Sequence, residues 1–256
     1  MADFEPFFKP TTSGWRSRWN AIRRFANRWN RLKLGPATAP KEIAGYPIAH
    51  ELPPSVRQWI VFHEDTKKRP LYRDNVRIER IKSPKSVSIM EIVEKDACWA
   101  IRNADLGQDD PPVTTLSEIN YTDNFGERWG EPEVAAPSVS EFALHCIIHS
   151  LYANAGGCWF AIEEPLDDFQ TEMRIYFDRT TRFGETIVFE SHGMIAFIYN
   201  CGYGGPQMKL ELRRKTQREK LPNCIVRNLK DAGKHGCLAT NVGSKPRDPR
   251  LRVQEF

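Results

Sequence analysis

The feature that most constrains how this chain folds is a run near its start in which large apolar residues recur at helical spacing. Steps of three and four positions keep one face of a predicted helix over residues 15–34 apolar, through Trp15, Trp19, Ile22, Phe25, Trp29 and Leu32. Residues 15–34 also hold seven Arg and Lys and no acid, and Gly35-Pro36 is predicted to end the helix. An apolar face of this size has to be covered by the rest of the chain or by a partner.

Two interpretations of this basic helix stay open. Its aromatic face can pack onto the domain with the arginines in water, which we favour because tryptophan buries well against a sheet. Alternatively, the helix lies on an anionic membrane surface or contacts nucleic-acid phosphates. Nucleic acid is disfavoured by the acidic middle of the chain.

Charge is segregated along the chain, although the net charge of the 256 residues is only +4. Residues 1–40 carry +6 and residues 204–256 carry +8, whereas residues 86–172 hold three basic residues against seventeen acids, or −14. No run approaches the roughly 18 apolar residues of a membrane span, and the start lacks the pattern of a secretory signal peptide. We therefore expect a cytoplasmic protein whose six cysteines are reduced.

The rest of the chain alternates between helical and strand-like patterns. A disturbed helix is predicted over 40–51, a better one opens at Pro53-Pro54, and the capping box Ser138-x-x-Glu141 begins a third. Strands are predicted where apolar residues alternate or cluster between turn signals, at 76–81, 87–93, 97–101, 113–116, 158–162, 173–177, 185–189, 194–199 and 208–212.

This order of elements predicts the α+β class, with a largely antiparallel sheet and helices packed on one face, in a single domain. The domain should cover residues 14–228 and include the basic amphipathic helix at 14–34. Residues 1–13 are expected to be a flexible start, and residues 229–256 a basic, mobile tail.

His145 and His149 are the strongest metal candidates, because two histidines four positions apart on a helix point the same way. The glutamate of a hydrolytic His-Glu-x-x-His motif is missing, since Cys146 takes its place. The surrounding helix is largely apolar, so we favour core histidines over a metal site. No cofactor is predicted.

Other catalytic patterns are weak. The chain has no Gly-x-Ser-x-Gly nucleophile elbow, and its glycine-rich segment 202–206 lacks the Lys-Ser/Thr of a phosphate loop. Paired acids can act as acid and base or hold a hard cation, and we consider three of the chain's acid pairs: Asp109-Asp110, Glu163-Glu164 and Asp167-Asp168. Solvated loop acids are commoner, so we predict no catalytic residue and a protein that is not an enzyme.

Several short motifs form a recognisable set. Residues 52–59 read Leu-Pro-Pro-Ser-Val-Arg-Gln-Trp, residues 97–101 read Ala-Cys-Trp-Ala-Ile, and residues 109–113 read Asp-Asp-Pro-Pro-Val. Trp129 then precedes Ser-Val-Ser-Glu-Phe-Ala-Leu at 138–144. Together with the aromatic helix near the start, these motifs resemble the SUKH superfamily of immunity proteins and fungal cell-wall regulators, over roughly residues 15–200.

The resemblance implies a binding protein that neutralises a toxin, often a nuclease, by docking on it. A nuclease is cationic in order to hold its polyanionic substrate, so carboxylates on its inhibitor speed association. We therefore predict a non-enzymatic immunity or antitoxin-type module of bacterial defence or competition. Its partner-binding residues are predicted to be acids with one aromatic anchor: Asp105, Asp109, Asp110, Trp129, Glu163, Glu164, Asp167 and Asp168.

A second function remains open beside this one. A regulatory or structural protein could use its basic N-terminal helix and its basic C-terminal tail to contact a membrane or a nucleoprotein assembly.

Overall fold

Two compact units make up the chain. The N-terminal unit is Pro10–Leu151, and the C-terminal unit is Tyr152–Phe256 together with Met1–Lys9. The structure is a computed structural model, and the residues it describes are 7–8, 14–30, 32–67, 76–82, 85–92, 97–117, 133–154, 158–162, 165–177, 179–183, 186–191, 193–200, 206–212, 221–226 and 228.

The N-terminal unit places helices at its start and end, with strands between them. The five strands form an antiparallel meander in chain order. In chain order the elements are α1 (Trp15–Trp29), a 3₁₀ turn (Ala49–Glu51), α2 (Pro54–Thr66), β1 (Glu79–Ile81), β2 (Ser86–Ile92), β3 (Ala97–Arg102), a 3₁₀ turn (Asn103–Asp105), β4 (Val113–Ser117), β5 (Glu133–Ala136) and α3 (Val139–Asn154), which ends beyond the unit boundary.

A chain of aromatic contacts forms the core of this unit. Trp19 of α1 lies 5.7 Å from Phe62 and 6.5 Å from Trp59, both on α2, between ring centroids. Phe142 of α3 then lies 5.5 Å from Trp59 and 5.1 Å from Trp99 of β3. Such tilted and edge-on pairs add to the free energy of burial. The three helices and the sheet are therefore tied together by one continuous aromatic cluster.

The described residues of the C-terminal unit form one longer helix, a short helical turn at 223–226 and five strands. The strands are all antiparallel and lie in the order β6-β10-β9-β8-β7, so that β10 returns to the inside of the sheet beside β6. In chain order the elements are β6 (Cys158–Ala161), α4 (Leu166–Tyr176), β7 (Arg179–Phe183), β8 (Thr186–Ser191), β9 (Met194–Asn200) and β10 (Pro206–Leu212).

The inner face of α4 supplies much of this unit's core. Phe169 and Met173 are fully buried with apolar residues from β8, β9 and β10. The Glu172 carboxylate accepts a 2.8 Å hydrogen bond from the Cys224 amide, which fixes the helical turn at 223–226. The opposite face of the sheet also carries buried side chains, among them Phe197 and Lys209.

The predicted α+β class is confirmed, and the sheets are antiparallel as expected. Where the sequence pattern predicted one sheet, however, each unit has its own. The predicted domain limits at residues 14 and 228 stay predictions. The flexible start at 1–13 lies outside the described residues apart from Phe7 and Phe8, and the tail at 229–256 lies wholly outside them.

Two predicted elements are wrong, and the helix predicted to run to residue 34 ends early, at Trp29, so that Leu32 and Leu34 lie outside it. Residues 173–177 belong mostly to helix α4 and not to a strand, because Leu166, Phe169 and Met173 recur at helical spacing. The helix predicted over 40–51 is reduced to the 3₁₀ turn at Ala49–Glu51. Pro47 has no amide to donate, and Gly45 adopts a positive φ of 83°, so a continuous helix cannot form there.

Candidate functional site

Among the predicted site residues that the structure describes, Asp110 has the most hydrogen-bond and ion-pair partners. Its carboxylate accepts hydrogen bonds from the Ser55 hydroxyl at 2.6 Å, the Ser140 amide at 3.0 Å and the Ser140 hydroxyl at 2.5 Å. The Arg18 guanidinium lies 3.5 Å from the same carboxylate. We call these four residues the Asp110 network. Both serines are fully buried, and the Asp110 side chain is only 13% exposed.

The Asp110 network ties together the starts of three helices. Arg18 comes from the first turn of α1, Ser55 from the start of α2, and Ser140 from the first turn of α3. The Ser55 hydroxyl also accepts a 2.7 Å hydrogen bond from the Trp19 indole. A carboxylate near helix N-termini satisfies amides that have no helical partner and complements the helix dipoles. Because both serine hydroxyls donate their hydrogen bonds to the Asp110 carboxylate, the arrangement joins the three helix starts.

The N-terminal capping of α3 is shared between two parts of the chain. The Ser138 hydroxyl accepts a 3.2 Å hydrogen bond from the Glu141 amide, as the predicted capping box requires. The Glu141 carboxylate lies 3.8 Å from Arg18. The pKa of Glu141 is raised overall, mainly by burial. Arg18 opposes this shift, and the negative charge of Asp110 adds to it. Glu141 therefore belongs to the same charged cluster as Asp110.

The other two acids of this loop differ from each other in exposure. The Asp105 carboxylate is buried and accepts hydrogen bonds from Arg102 at 2.7 Å and Gln108 at 3.0 Å. Asp109 is exposed, and its backbone oxygen accepts a 3.1 Å hydrogen bond from the Ser55 amide. Of the three predicted partner-binding acids in the N-terminal unit, Asp109 thus presents the most accessible carboxylate.

The exposed face of α4 carries two of the predicted acids of the C-terminal unit, Asp167 and Asp168. Asp167 and Asp168 lie in its first turn and are exposed, as is Thr171 one turn later. Ile175, a further turn on, is 77% exposed, although the other described apolar residues of α4 face the core or its edge. We call Asp167, Asp168, Thr171 and Ile175 the α4 surface. It joins two negative charges to an exposed apolar side chain.

His145 and His149 are both exposed, so the expectation of core histidines is wrong. Over the described side chains of α3, at 139–151, they lie on a narrow strip that is not buried, because the apolar residues of this helix cover its other faces. The partial enclosure of His145 lowers its pKa, and the nearby His149 lowers it further. The imidazole of His145 is accordingly neutral near pH 7.

The apolar face of α1 is buried within the N-terminal unit. Trp19, Ile22, Phe25 and Trp29 are buried, which leaves Arg16, Arg24 and Arg28 on the exposed side. Beside this helix lies an open groove of about 410 Å³ that is lined by Asn20, Arg23, Arg24, Asn27, Leu34, Gly35 and Pro36. Insertion of the tryptophan face into a membrane would require this core to open.

Three predicted partner-binding residues, Trp129, Glu163 and Glu164, lie outside the described residues. Sequence reasoning did not identify Arg18, Ser55, Ser140 or Ile175. The serines follow the helix-start patterns Pro-Pro-Ser and Ser-x-Ser, which signal capping but not a shared aspartate. Ile175 carried a misleading signal, because it falls in the segment that was predicted as a strand.

The comparisons give no family for this chain: no protein-family model, no curated protein and no solved structure matches it. Among the residues that the structure describes, no helix combines the length and the apolar character needed to cross a membrane. In the same residues, no group of three or more His, Cys, Asp or Glu is arranged to hold a metal ion.

Proposed function

We propose that this chain is a non-enzymatic, protein-binding module of the immunity or antitoxin type, which docks on a cationic, nuclease-like toxin. The observation that carries the proposal is the α4 surface, where Asp167 and Asp168 lie on the same exposed side of a helix as Ile175. Protein interfaces commonly combine an apolar anchor with a surrounding polar rim. The resemblance of the sequence motifs to the SUKH superfamily supports the same function.

The two acids of the α4 surface have a further role that has to be separated from binding. Carboxylates in the first turn of a helix stabilise it through the helix dipole, each by about 0.3–1 kcal/mol. This role accounts for Asp167 and Asp168 but not for Ile175, whose burial by a partner would remove apolar area from water. Ile175 therefore distinguishes a docking surface from a capped helix.

The location of the remaining acids supports α4 as the centre of the contact. Asp105 and Asp110 already accept hydrogen bonds within the N-terminal unit. Binding a partner through them would cost those bonds, and a buried donor left without an acceptor costs about 1–3 kcal/mol. Asp109, Asp167 and Asp168 can meet a cationic partner without that cost because they are exposed.

Co-expression of the full chain with candidate toxin domains, taken from genes that neighbour its own, tests the proposal. A cognate toxin should be neutralised and should bind the purified chain directly. The variant Asp167→Asn/Asp168→Asn should slow association by about tenfold or more at low salt, with a smaller effect at high salt, because it removes electrostatic steering. Ile175→Ala should mainly speed dissociation.

The matched control is Glu42→Gln/Glu133→Gln, which removes two negative charges from exposed positions of the N-terminal unit. It should leave association nearly unchanged. If the control slows association as much as the α4 variant, net charge and not the α4 surface controls binding. If the chain binds and neutralises none of the neighbouring toxins, the immunity function is wrong.

A second function is favoured by the exposed arginines of α1. Arg16, Arg24 and Arg28 lie on the side of α1 that faces away from its buried tryptophans. This arrangement suits electrostatic contact with a polyanion, since the apolar face is occupied. Neutralising the three arginines should then abolish salt-dependent retention of the chain on a heparin column, and unchanged retention would argue against this function.

A further inference from the structure

Over its described side chains, at 139–151, helix α3 exposes a narrow strip. Glu141, His145 and His149 succeed one another at steps of four along this strip, and Glu141 is its least exposed member. The rest of the described helix is buried, through residues such as Phe142, Leu144, Ile147 and Ile148, apart from the half-buried Cys146. A helix held on its other sides keeps its exposed side chains in a defined relative position.

We propose that His145 and His149 form a surface site for a divalent transition-metal ion of the zinc, copper and nickel class. Side chains four positions apart on a helix are neighbours, with about 5–6 Å between their Cβ atoms, so two imidazoles can reach one ion. Imidazole is a preferred ligand of these metals. The site goes beyond the proposed docking function and does not depend on it.

The site has two protein ligands and is open. Within the described part of the chain, no third His, Cys, Asp or Glu joins the pair as a metal-binding group. Glu141, one turn before His145, has its carboxylate 3.8 Å from Arg18. Water or a side chain from a partner therefore completes the coordination, which makes the ion exchangeable, unlike the ion in a closed structural zinc site.

The chemistry of imidazole makes this site compatible with other contacts of the two rings. A metal-bound histidine uses one ring nitrogen, and its other nitrogen commonly donates a hydrogen bond that orients the ring. Neutral imidazole is the form that binds metal, so affinity for the ion depends on pH.

The test is calorimetric titration of the untagged full chain with Zn²⁺, Cu²⁺ and Ni²⁺ separately near neutral pH. We expect one ion per chain. His145→Asn and His149→Asn should each weaken binding by about tenfold or more, since loss of even an outer partner of a ligand commonly costs that much. His50→Asn, a change at an exposed histidine outside α3, is the matched control and should bind as the unchanged protein does.

A second measurement locates the ion directly. Cu²⁺ or Ni²⁺ should broaden nuclear magnetic resonance signals from residues 141–149 first, and circular dichroism should show that each variant is folded. Binding that persists unchanged in the folded double variant would overturn the proposal. So would the absence of binding to all three metals at millimolar concentration, or broadening centred elsewhere in the chain.

Discussion

Asp109 and Asp110 are neighbours in the sequence but have different physical roles. The carboxylate of Asp110 receives three hydrogen bonds and the charge of Arg18, whereas that of Asp109 is exposed. The sequence shows only that two acids precede Pro111-Pro112, which is ordinary turn chemistry. Asp110 differs from Asp109 because its carboxylate accepts hydrogen bonds from Ser55 and Ser140, which lie 55 and 30 residues away in the sequence.

Replacing Asp110 should destabilise the N-terminal unit. Asp110→Ala leaves two buried serine hydroxyls and one helix amide without their acceptor, so we expect the free energy of unfolding to fall by roughly 2–4 kcal/mol. The matched variant Asp109→Ala should change it by about 0.5 kcal/mol or less. Urea unfolding followed by tryptophan fluorescence measures both. Equal losses in the two variants would contradict the role assigned to Asp110.

His63, in the last turn of α2, should make stability depend on pH. Burial lowers the pKa of His63 below 6.5, with Lys67 lowering it and Glu64 opposing the shift. Between the folded pKa and 6.5 the unfolded chain binds more protons, so the free energy of unfolding falls as pH decreases through this window and levels off below it. The variant His63→Gln should weaken this dependence. A pH profile unchanged by the substitution would rule out His63 as a source.

At the scale of elements, α1 is an integral part of its unit and not an arm attached to it. It contributes Trp19 to the aromatic core, Arg18 to the Asp110 network, and Arg23, whose guanidinium pairs with Asp65 of α2 and donates to the Gly35 carbonyl at 2.7 Å. The same helix presents its remaining arginines outwards. One side of α1 is therefore buried in the core, and the other side presents positive charge to solvent.

The two tryptophans of the first turns of α1 should differ sharply in their effect on stability. Trp19→Ala removes a fully buried indole and its hydrogen bond to Ser55, so we expect a loss of about 3–5 kcal/mol. Trp15 is only half-buried, and Trp15→Ala should cost about 1 kcal/mol or less. Thermal and urea unfolding of the two variants provide the comparison. A small loss for Trp19→Ala would mean that α1 is dispensable for the core.

Elements with a strong local pattern could be predicted from the sequence, and elements that depend on distant contacts could not. The apolar periodicity of α1, the prolines that open α2 and the serine cap of α3 act within a few residues. By contrast, β5 and β7 were missed because Glu133–Ala136 is mostly exposed and Arg179–Phe183 is largely polar, and pairing with neighbouring strands holds them in place. The same holds for the candidate sites. The spacing of His145 and His149 can be seen in the sequence, but their exposure depends on how the rest of the unit packs around α3.

At the scale of the whole molecule, each unit contains a buried cysteine that can report on its own opening. Cys98 lies in the sheet of the N-terminal unit, and burial raises its pKa to about 11. Cys224 is fully buried in the same apolar cluster as Phe169 in the C-terminal unit. Thiolate is the reactive form of cysteine, so both residues should react slowly in the native protein.

Thiol labelling mapped by mass spectrometry tests this expectation. Cys146, which is half-buried, should react before Cys98 and Cys224. Phe169→Ala should speed the labelling of Cys224, because it removes a buried ring from the cluster around that thiol. Labelling of Cys98 in the native protein at the rate of Cys146 would contradict the described burial. An unchanged labelling rate of Cys224 in Phe169→Ala would show that the packing of Phe169 does not protect this thiol.

The Asp110 network also constrains how the chain can evolve. The Asp110 carboxylate accepts hydrogen bonds from the hydroxyls of Ser55 and Ser140. A mutation at one of these positions therefore leaves a buried polar group without its hydrogen-bond partner, and only a second mutation can compensate for it. Among related sequences these three positions should therefore be retained together or replaced together, while position 109 drifts. A saturation-mutagenesis survey that selects for folded protein should show the same contrast between adjacent codons.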